Sequence, residues 1–279
     1  MMRLAAILLA VIAGLYLSAV IFIFISQEKL FINSSEKPEM NLHNYGLTTE
    51  NIQIETSDGE VLQGIYFPNS RAELVVIYSY DNSGRIGAGM DMAEILINNG
   101  ASVFLYFHRG VGESSGSFSE EGLYHDIEAV VQTLSRVKGY DEDNMVLYGR
   151  SVGGAVAAYA ASKFQVRGLV LDSAFLNYHA MFRDIYPFVP TWLAKYKFPT
   201  DQFLGVIREL PVMILHSKDD EIARFHHGKG FYDILDQPKL LIELSGGHTE
   251  NVTVSRDIIE QSWAFYIASL CRRCHPYMN

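Results

Sequence analysis

Cysteine is nearly absent from this chain, with two in 279 residues. Both fall in "CRRCHP" at residues 271–276, so the chain offers a local disulfide or an exposed thiol pair and no four-ligand zinc spacing. Cys271, Cys274 and His275 do match C-x-x-C-H, the attachment pattern of c-type haem. They lie so close to residue 279 that no following chain could wrap such a group, and no cofactor is expected. Runs of lysine and arginine are missing as well, and the formal net charge is −10. A nucleic-acid partner is therefore not expected, because phosphate binding needs a clustered basic surface. Internal repeats and low-complexity tracts are also lacking. Hydrophobic residues make up 49%, which excludes global disorder and supports a sizeable core.

One long stretch lacks charge altogether, from Leu4 to Ile25. At about 1.5 Å per residue it would span roughly 33 Å, about one bilayer core. A secretory h-region is shorter and ends at a small-residue cleavage site. Here Phe22, Ile23, Phe24 and Ile25 carry the apolar run past Ser18 and Ala19. The expectation is an uncleaved single-pass anchor over residues 1–26 and a linker over 27–50, with a cleaved signal or a buried helix as the alternatives. Arg3 lies on one side of the run and Lys29 and Lys37 on the other, so the positive-inside count does not discriminate. The usual outcome for an N-terminal signal anchor puts the globular domain on the exported, extracytoplasmic side.

The remainder, 51–279, is expected to be one α/β domain. "NIQIETSDGEVLQGIYF" (51–67) has two β-runs around Asp58-Gly59, a hairpin signal. Then come nearly continuous apolar runs at 73–80, 101–108, 144–150, 167–175, 211–217 and 238–244. Such runs belong to strands buried on both faces of a parallel sheet. Helix-period segments alternate with them at about 88–98, 121–136, 152–162, 224–235 and 252–270. The pattern predicts a mostly parallel, doubly wound sheet with an antiparallel hairpin at its first edge. Residues 176–210 are longer than a crossover requires and rich in Tyr, Phe, Trp and Pro. They are expected to form a small helical lid, the alternative being an aromatic-rich crossover helix.

"LYGRSVGGAVAAYA" (147–160) carries the chemistry. Gly149-Arg150-Ser151-Val152-Gly153 is G-x-S-x-G placed where a buried strand meets a helix, the setting of a nucleophile on a strained turn. Glycines two before and two after leave room for that turn, and Gly154, Ala155, Ala157 and Ala158 allow close packing of the helix on the sheet. The helix N-terminus offers N–H groups to a developing oxyanion. A serine needs a base, itself oriented by an acid, and in an open α/β sheet both should follow the C-terminal ends of later strands. After 211–217 comes Lys218-Asp219-Asp220-Glu221; after 238–244 comes Ser245-Gly246-Gly247-His248. Of nine histidines, His248 alone lies in a Gly-preceded loop just after the last strand. His226 and His227 begin a helix and are expected at the surface, and His216 is expected to make a structural hydrogen bond. The order Ser, Asp, His is that of α/β-hydrolases. The residues themselves leave Asp219, Asp220 and Asp172 open as the acid.

From about 51 to 270 the chain resembles the α/β-hydrolase superfamily. Within it, the chain is most similar to the serine-aminopeptidase-like branch of membrane-anchored bem-type hydrolases and protein depalmitoylases. The marks are "RGVGESSGSFSEEGLYHDIEAV", "YGRSVGGAVA", "ILHSKDDEIARF" and "GGHTEN", together with an apolar N-terminus followed by "QEKLFI". The resemblance implies a serine hydrolase. Its acid motif, H-G-x-x-D, lays onto His216 to Asp220 and selects Asp220. It also implies backbone oxyanion donors at Asn82 and Val152. Two departures stand out. The oxyanion loop, which begins His-Gly in the family, reads Tyr80-Asp81 here, bringing a carboxylate near a site that must hold negative charge. The family's Asp-Tyr before Arg109-Gly110 is Phe107-His108.

The leading expectation is hydrolysis of an ester or thioester in a small acylated or lipid-like substrate, through an acyl-enzyme formed by Ser151, His248 and Asp220. A serine peptidase shares that machinery, since fold does not fix substrate. The altered oxyanion loop instead allows a catalytically weak, membrane-anchored binding protein of the same fold.

Overall fold

In a computed structural model, which describes residues 2–31, 47–81 and 86–270, the apolar runs assemble into a single eight-stranded sheet. The expected hairpin is β1 (Glu50–Glu55) and β2 (Val61–Phe67). Ile52 and Ile54 of β1 point inward while Asn51, Gln53 and Glu55 face water, the two-residue period of a half-covered strand. The turn is five residues long, wider than a two-residue Asp-Gly turn: Thr56 N–H donates to Glu60 O at 2.9 Å, and Gly59 sits at φ +90°.

The remaining strands are β3 (Val75–Ser79), β4 (Ser102–Tyr106), β5 (Met145–Arg150), β6 (Gly168–Asp172), β7 (Val212–Ser217) and β8 (Lys239–Leu244). Their order is β1-β2-β4-β3-β5-β6-β7-β8. The β1–β2 and β2–β4 pairs are antiparallel and every other pair is parallel, as expected of this fold class. From β3 to β7 the strands are wholly buried because helices cover both faces. On β3, Val75 and Ile77 join the core beneath α3 (Glu120–Thr133) and α4 (Val152–Lys163), while Val76 and Tyr78 join the core beneath α2 (Ile86–Asn98) and α8 (Arg256–Leu270).

Chain order reverses across β3, which has β4 on one side and β5 on the other. That switch point is where open α/β sheets form a ligand crevice at the carboxyl ends of their strands. Arg109, just past β4, ties the near edge together: its guanidinium binds Asp58 of the hairpin turn at 2.7 Å and Asp126 of α3 at 2.8 Å.

Between β6 and β7 the chain forms α5 (Tyr178–Ile185), a 3-10 turn at Thr191–Leu193 and α6 (Thr200–Val206). Asn177 caps α5 by accepting from Ala180 N–H at 2.8 Å. Glu120, in the first turn of α3, accepts from the Lys197 and Phe198 N–H groups, each at 2.7 Å, and so holds the exit of this segment to the body. At the N-terminus α1 (Met2–Phe31) is one helix, and its stretch Met2–Gln27 is long and apolar enough to cross a membrane. Most of the expected linker, residues 32–46, and the C-terminal cluster of Cys271, Cys274 and His275 lie outside the described residues.

Candidate active site

Ser151 is the residue between β5 and α4, and its backbone is strained, at φ +52° and ψ −119°. For a residue with a side chain this is a sparsely populated region, tolerated where surrounding structure enforces it. The enforcement is visible. A Cβ on Gly149 would lie 2.2 Å from Gly153 O, and one on Gly153 would lie 2.1 Å from Ser79 O. A Cβ on Gly154 would meet the Cβ of Ala174 at 2.4 Å. These contacts are with backbone or core atoms that cannot swing away, so only glycine lets the turn close over β3. Main-chain bonds from Ser151 N–H to Asp172 O at 2.9 Å and from Gly154 N–H to Ser151 O at 3.0 Å hold the turn in place.

His248 arrives from the loop after β8, Asp220 from the loop after β7. His248 Nε2 lies 3.2 Å from Ser151 Oγ, and His248 Nδ1 lies 2.8 Å from Asp220 Oδ2 and 3.0 Å from Oδ1. All three side chains are buried. Asp220 Oδ1 also accepts from the Ile222 and Ala223 N–H groups at 3.0 and 2.8 Å, which orients the carboxylate towards the ring. A carboxylate facing Nδ1 holds that nitrogen's proton and leaves the Nε2 lone pair for the hydroxyl. This is the geometry of a general base poised on an alcohol.

The other two aspartates are engaged elsewhere. Asp219 Oδ2 accepts from Gly246 N–H at 3.1 Å. Asp172 is buried and accepts from Arg150 Nη1 at 2.7 Å, Tyr148 Oη at 3.0 Å and Ser173 Oγ at 3.0 Å.

Arg150 was only the variable position of the G-x-S-x-G pattern in sequence, yet it is the hub beneath the site. Its side chain is 2% exposed. Besides Asp172 it binds the main-chain carbonyl of His248 and, at 3.0 Å, Asn251 Oδ1. Asn251 in turn donates to Ser173 Oγ at 2.7 Å. Glu221 Oε2 accepts from His248 N–H at 3.0 Å, so both main-chain groups of His248 are held. Burial alone would push the arginine pKa down, but the Asp172 carboxylate more than offsets this and it stays a cation. No pattern in the sequence pointed to this role; an arginine between an apolar strand and a nucleophile turn was the only cue.

The two departures from the resembled pattern, at Tyr80-Asp81 and Phe107-His108, are accommodated in an unexpected way. The Asp81 carboxylate faces Arg150, with Oδ2 3.9 Å from Nε, so its negative charge has a cation beside it. Tyr80 stacks on His108, with ring centroids 5.0 Å apart and planes at 28°, and His108 Nε2 lies 3.3 Å from Tyr80 O. The two departures therefore touch. Where the resembled pattern has histidine at 80 and tyrosine at 108, this chain carries the same two rings exchanged. Val152 is the buried first residue of α4. Asn82 lies outside the described residues.

Three further histidines complete the account. His216 Nε2 lies 2.6 Å from Ala223 O, the structural bond expected of it. His227, expected at the surface, is instead fully buried. It occupies the inner side of α7 (His226–Ile234), where its Nδ1 accepts from Leu176 N–H at 3.3 Å and its Nε2 lies 3.2 Å from Asp184 Oδ2 of α5. His226 Nε2 lies 3.1 Å from the same oxygen. Among the described residues these three side chains bring metal-type ligand atoms together. The Leu176 bond, however, leaves the proton of neutral His227 on Nε2, making that atom a donor rather than a ligand.

The mixed sheet, the strained serine at a strand–helix junction and the histidine after the last strand define an α/β-hydrolase. Comparison with known proteins agrees. The sequence profile of the family described as Serine aminopeptidase, S33 matches residues 80–205. The chain is 32% identical over 194 residues to the uncharacterized membrane protein YNL320W of Saccharomyces cerevisiae, covering 67% of this chain and 68% of that one. Against protein bem46 of Schizosaccharomyces pombe it is 28% identical over 190 residues, covering 64% and 63%. The chain belongs to the α/β-hydrolase superfamily, in its bem-type branch. Among solved structures the fold matches the esterase Pf2001 of Pyrococcus furiosus, with a TM-score of 0.72, 16% identity and 86% and 98% of the two chains covered. It also matches an α/β-hydrolase of Vibrio vulnificus, with a TM-score of 0.71, 19% identity and 90% and 92% covered.

Proposed function

We propose that this chain is a membrane-anchored serine hydrolase that cleaves an ester or thioester. The observation that carries the reading is the continuous line from Asp220 through His248 to Ser151, with contacts of 2.8 and 3.2 Å, ending on a serine in a strained turn. In the first half-reaction Ser151 Oγ attacks the acyl carbon while its proton passes to His248 Nε2, and the carbonyl electron pair moves onto oxygen. The N–H groups of Asn82 and Val152 would receive that oxyanion. Collapse of the tetrahedral species expels the alcohol or thiol, which takes the proton from His248 and leaves the acyl group on Ser151. Water then repeats the sequence, giving up its proton to His248 and releasing the acid and the free serine. Asp220 keeps its hydrogen bond to His248 Nδ1 throughout and so stabilises the imidazolium.

Membrane anchoring by α1, with the globular domain exported, favours acylated or lipid-like substrates. Its support is the length and apolarity of that helix and the printed name of the yeast relative. The family profile is described by a serine aminopeptidase, which makes peptide-bond hydrolysis the second reading. Against a merely vestigial site stands Arg150, whose cation lies beside the Asp81 charge. Covalent labelling by a fluorophosphonate, lost in Ser151→Ala, tests the proposal. A folded wild-type protein that takes no label would overturn it. Parallel assays with aryl ester, acyl thioester and aminoacyl arylamide substrates separate the two chemistries.

A further inference from the structure

Tyr16, Val20, Ile23 and Gln27 recur at steps of four, three and four residues, which lines them up along one stripe of α1. That stripe lies on the segment between β6 and β7. Tyr16 Oη donates to Phe188 O at 2.8 Å, Gln27 Nε2 donates to Leu193 O at 2.8 Å, and Lys195 N–H donates to Gln27 Oε1 at 2.8 Å. Val20 and Ile23 pack against the core cluster between these bonds. Between Leu4 and Ile25 only Tyr16 and Ser18 carry polar side-chain atoms, and Ser18 is satisfied inside the helix by Gly14 O at 2.8 Å. The polar atoms of the stripe are therefore spent on main-chain groups of one loop.

That loop is otherwise built for an apolar setting. Phe188 and Trp192 are 83% and 78% exposed, the most exposed aromatic side chains outside α1 among the described residues. Pro187 and Pro190 have no N–H to satisfy. Val189, Leu193 and Ala194 N–H groups bond within the loop at 3.0 to 3.1 Å. Irregular backbone survives at membrane depth only when its polar groups are paired, and here α1 supplies partners for two carbonyls of the loop, those of Phe188 and Leu193.

We propose that the loop from Tyr186 to Lys195 is a bilayer-docking surface, with Phe188 and Trp192 immersed in the lipid that α1 enters. The proposal rests on the reading of α1 as a membrane anchor. From Tyr16 to Gln27 is about 16 Å along the helix axis, roughly half of a bilayer's hydrocarbon core. Phe188, beside Tyr16, is the deeper residue. Trp192, next to the carbonyl held by Gln27, lies at the headgroup boundary where tryptophan is favoured. Lys195, whose Nζ sits 5.1 Å from the centroid of the Phe24 ring, keeps its charge at the same level. The anchor is thus one wall of the lid.

The chain has two tryptophans, and the other, Trp263, is fully buried in the core on the opposite face of the sheet. Both fluoresce, but only Trp192 is placed to meet a quencher, so the quenchable part of the emission reports Trp192. The full-length protein is placed in phosphatidylcholine vesicles whose acyl chains carry bromine near the headgroup or near the terminal methyl. Trp192 should lose emission most strongly to the shallow bromine, and Trp192→Phe should abolish that loss while leaving the Trp263 signal as the check of folding. In a Trp192→Phe, Phe188→Trp protein the loss should shift to the deeper bromine. Quenching of Trp192 by aqueous acrylamide but not by brominated lipid, in protein that survives a carbonate wash of the membrane, would overturn the docking surface and leave the anchor standing. Release of the protein by carbonate would overturn both.

Discussion

Arg150 donates to the carboxylate of Asp172 and to the main-chain carbonyl of His248, so one guanidinium joins the end of β6 to the loop that carries the imidazole. Its neighbour in sequence is the candidate nucleophile, and the same side chain therefore fixes the base relative to the serine. Arg150→Met leaves Asp172 buried without its cation and should cost about 3–5 kcal/mol of stability, read as a fall in the midpoint of urea unfolding. Arg150→Lys keeps a charge but cannot reach both partners at once. Ester turnover should fall by about 10²-fold, mostly in kcat, because the imidazole is displaced while substrate binding is not.

The exchanged rings at 80 and 108 call for a double-mutant cycle. Tyr80→His or His108→Tyr alone places two like rings in a stacked site shaped for one of each. Each single substitution should destabilise the fold, whereas the pair together should recover stability through a coupling of about 0.5–1.5 kcal/mol. Additive losses in thermal melts would show that the stacking is incidental.

The strain at Ser151 should be recoverable as stability. Ser151→Gly removes the side chain that disfavours φ +52°, and the protein should gain about 1 kcal/mol while losing all fluorophosphonate labelling. Gly153→Ala is the converse. Its Cβ would lie 2.1 Å from Ser79 O, a main-chain atom of a central strand, and a loss of about 3 kcal/mol or more is expected from the same melts.

Buried neutral histidines set the acid response. Burial pushes the His108 pKa down to about 4 and that of His227 down to about 3, against 6.5 for the free ring. Below about 6.5 the unfolded chain binds protons at these positions and the folded chain does not, so stability must fall with pH. The loss attributable to His108 runs from about 6.5 to about 4 and then levels off, because the folded ring titrates there too. The Asp58 carboxyl, held well below its ordinary range by the Arg109 guanidinium, adds its own loss only below its unfolded value of 3.8. Melting temperatures measured across this range should show the slope, and His108→Gln should make it shallower.

The order of strands and helices was legible in the sequence because burial on both faces writes itself as unbroken apolar runs, and the G-x-S-x-G turn because its steric demand falls on residues within two positions of the serine. Those are local constraints, carried by neighbours along the chain. Which aspartate faces the imidazole was not local. Asp219 and Asp220 are adjacent, and only the path of the loop after β7 turns one towards His248 and the other towards Gly246. Arg150 as a hub, Tyr80 against His108, His227 turned inward to Asp184 and Gln27 gripping the segment between β6 and β7 all join residues remote in sequence. Such contacts depend on how whole elements pack together, and no periodicity within a single element records them.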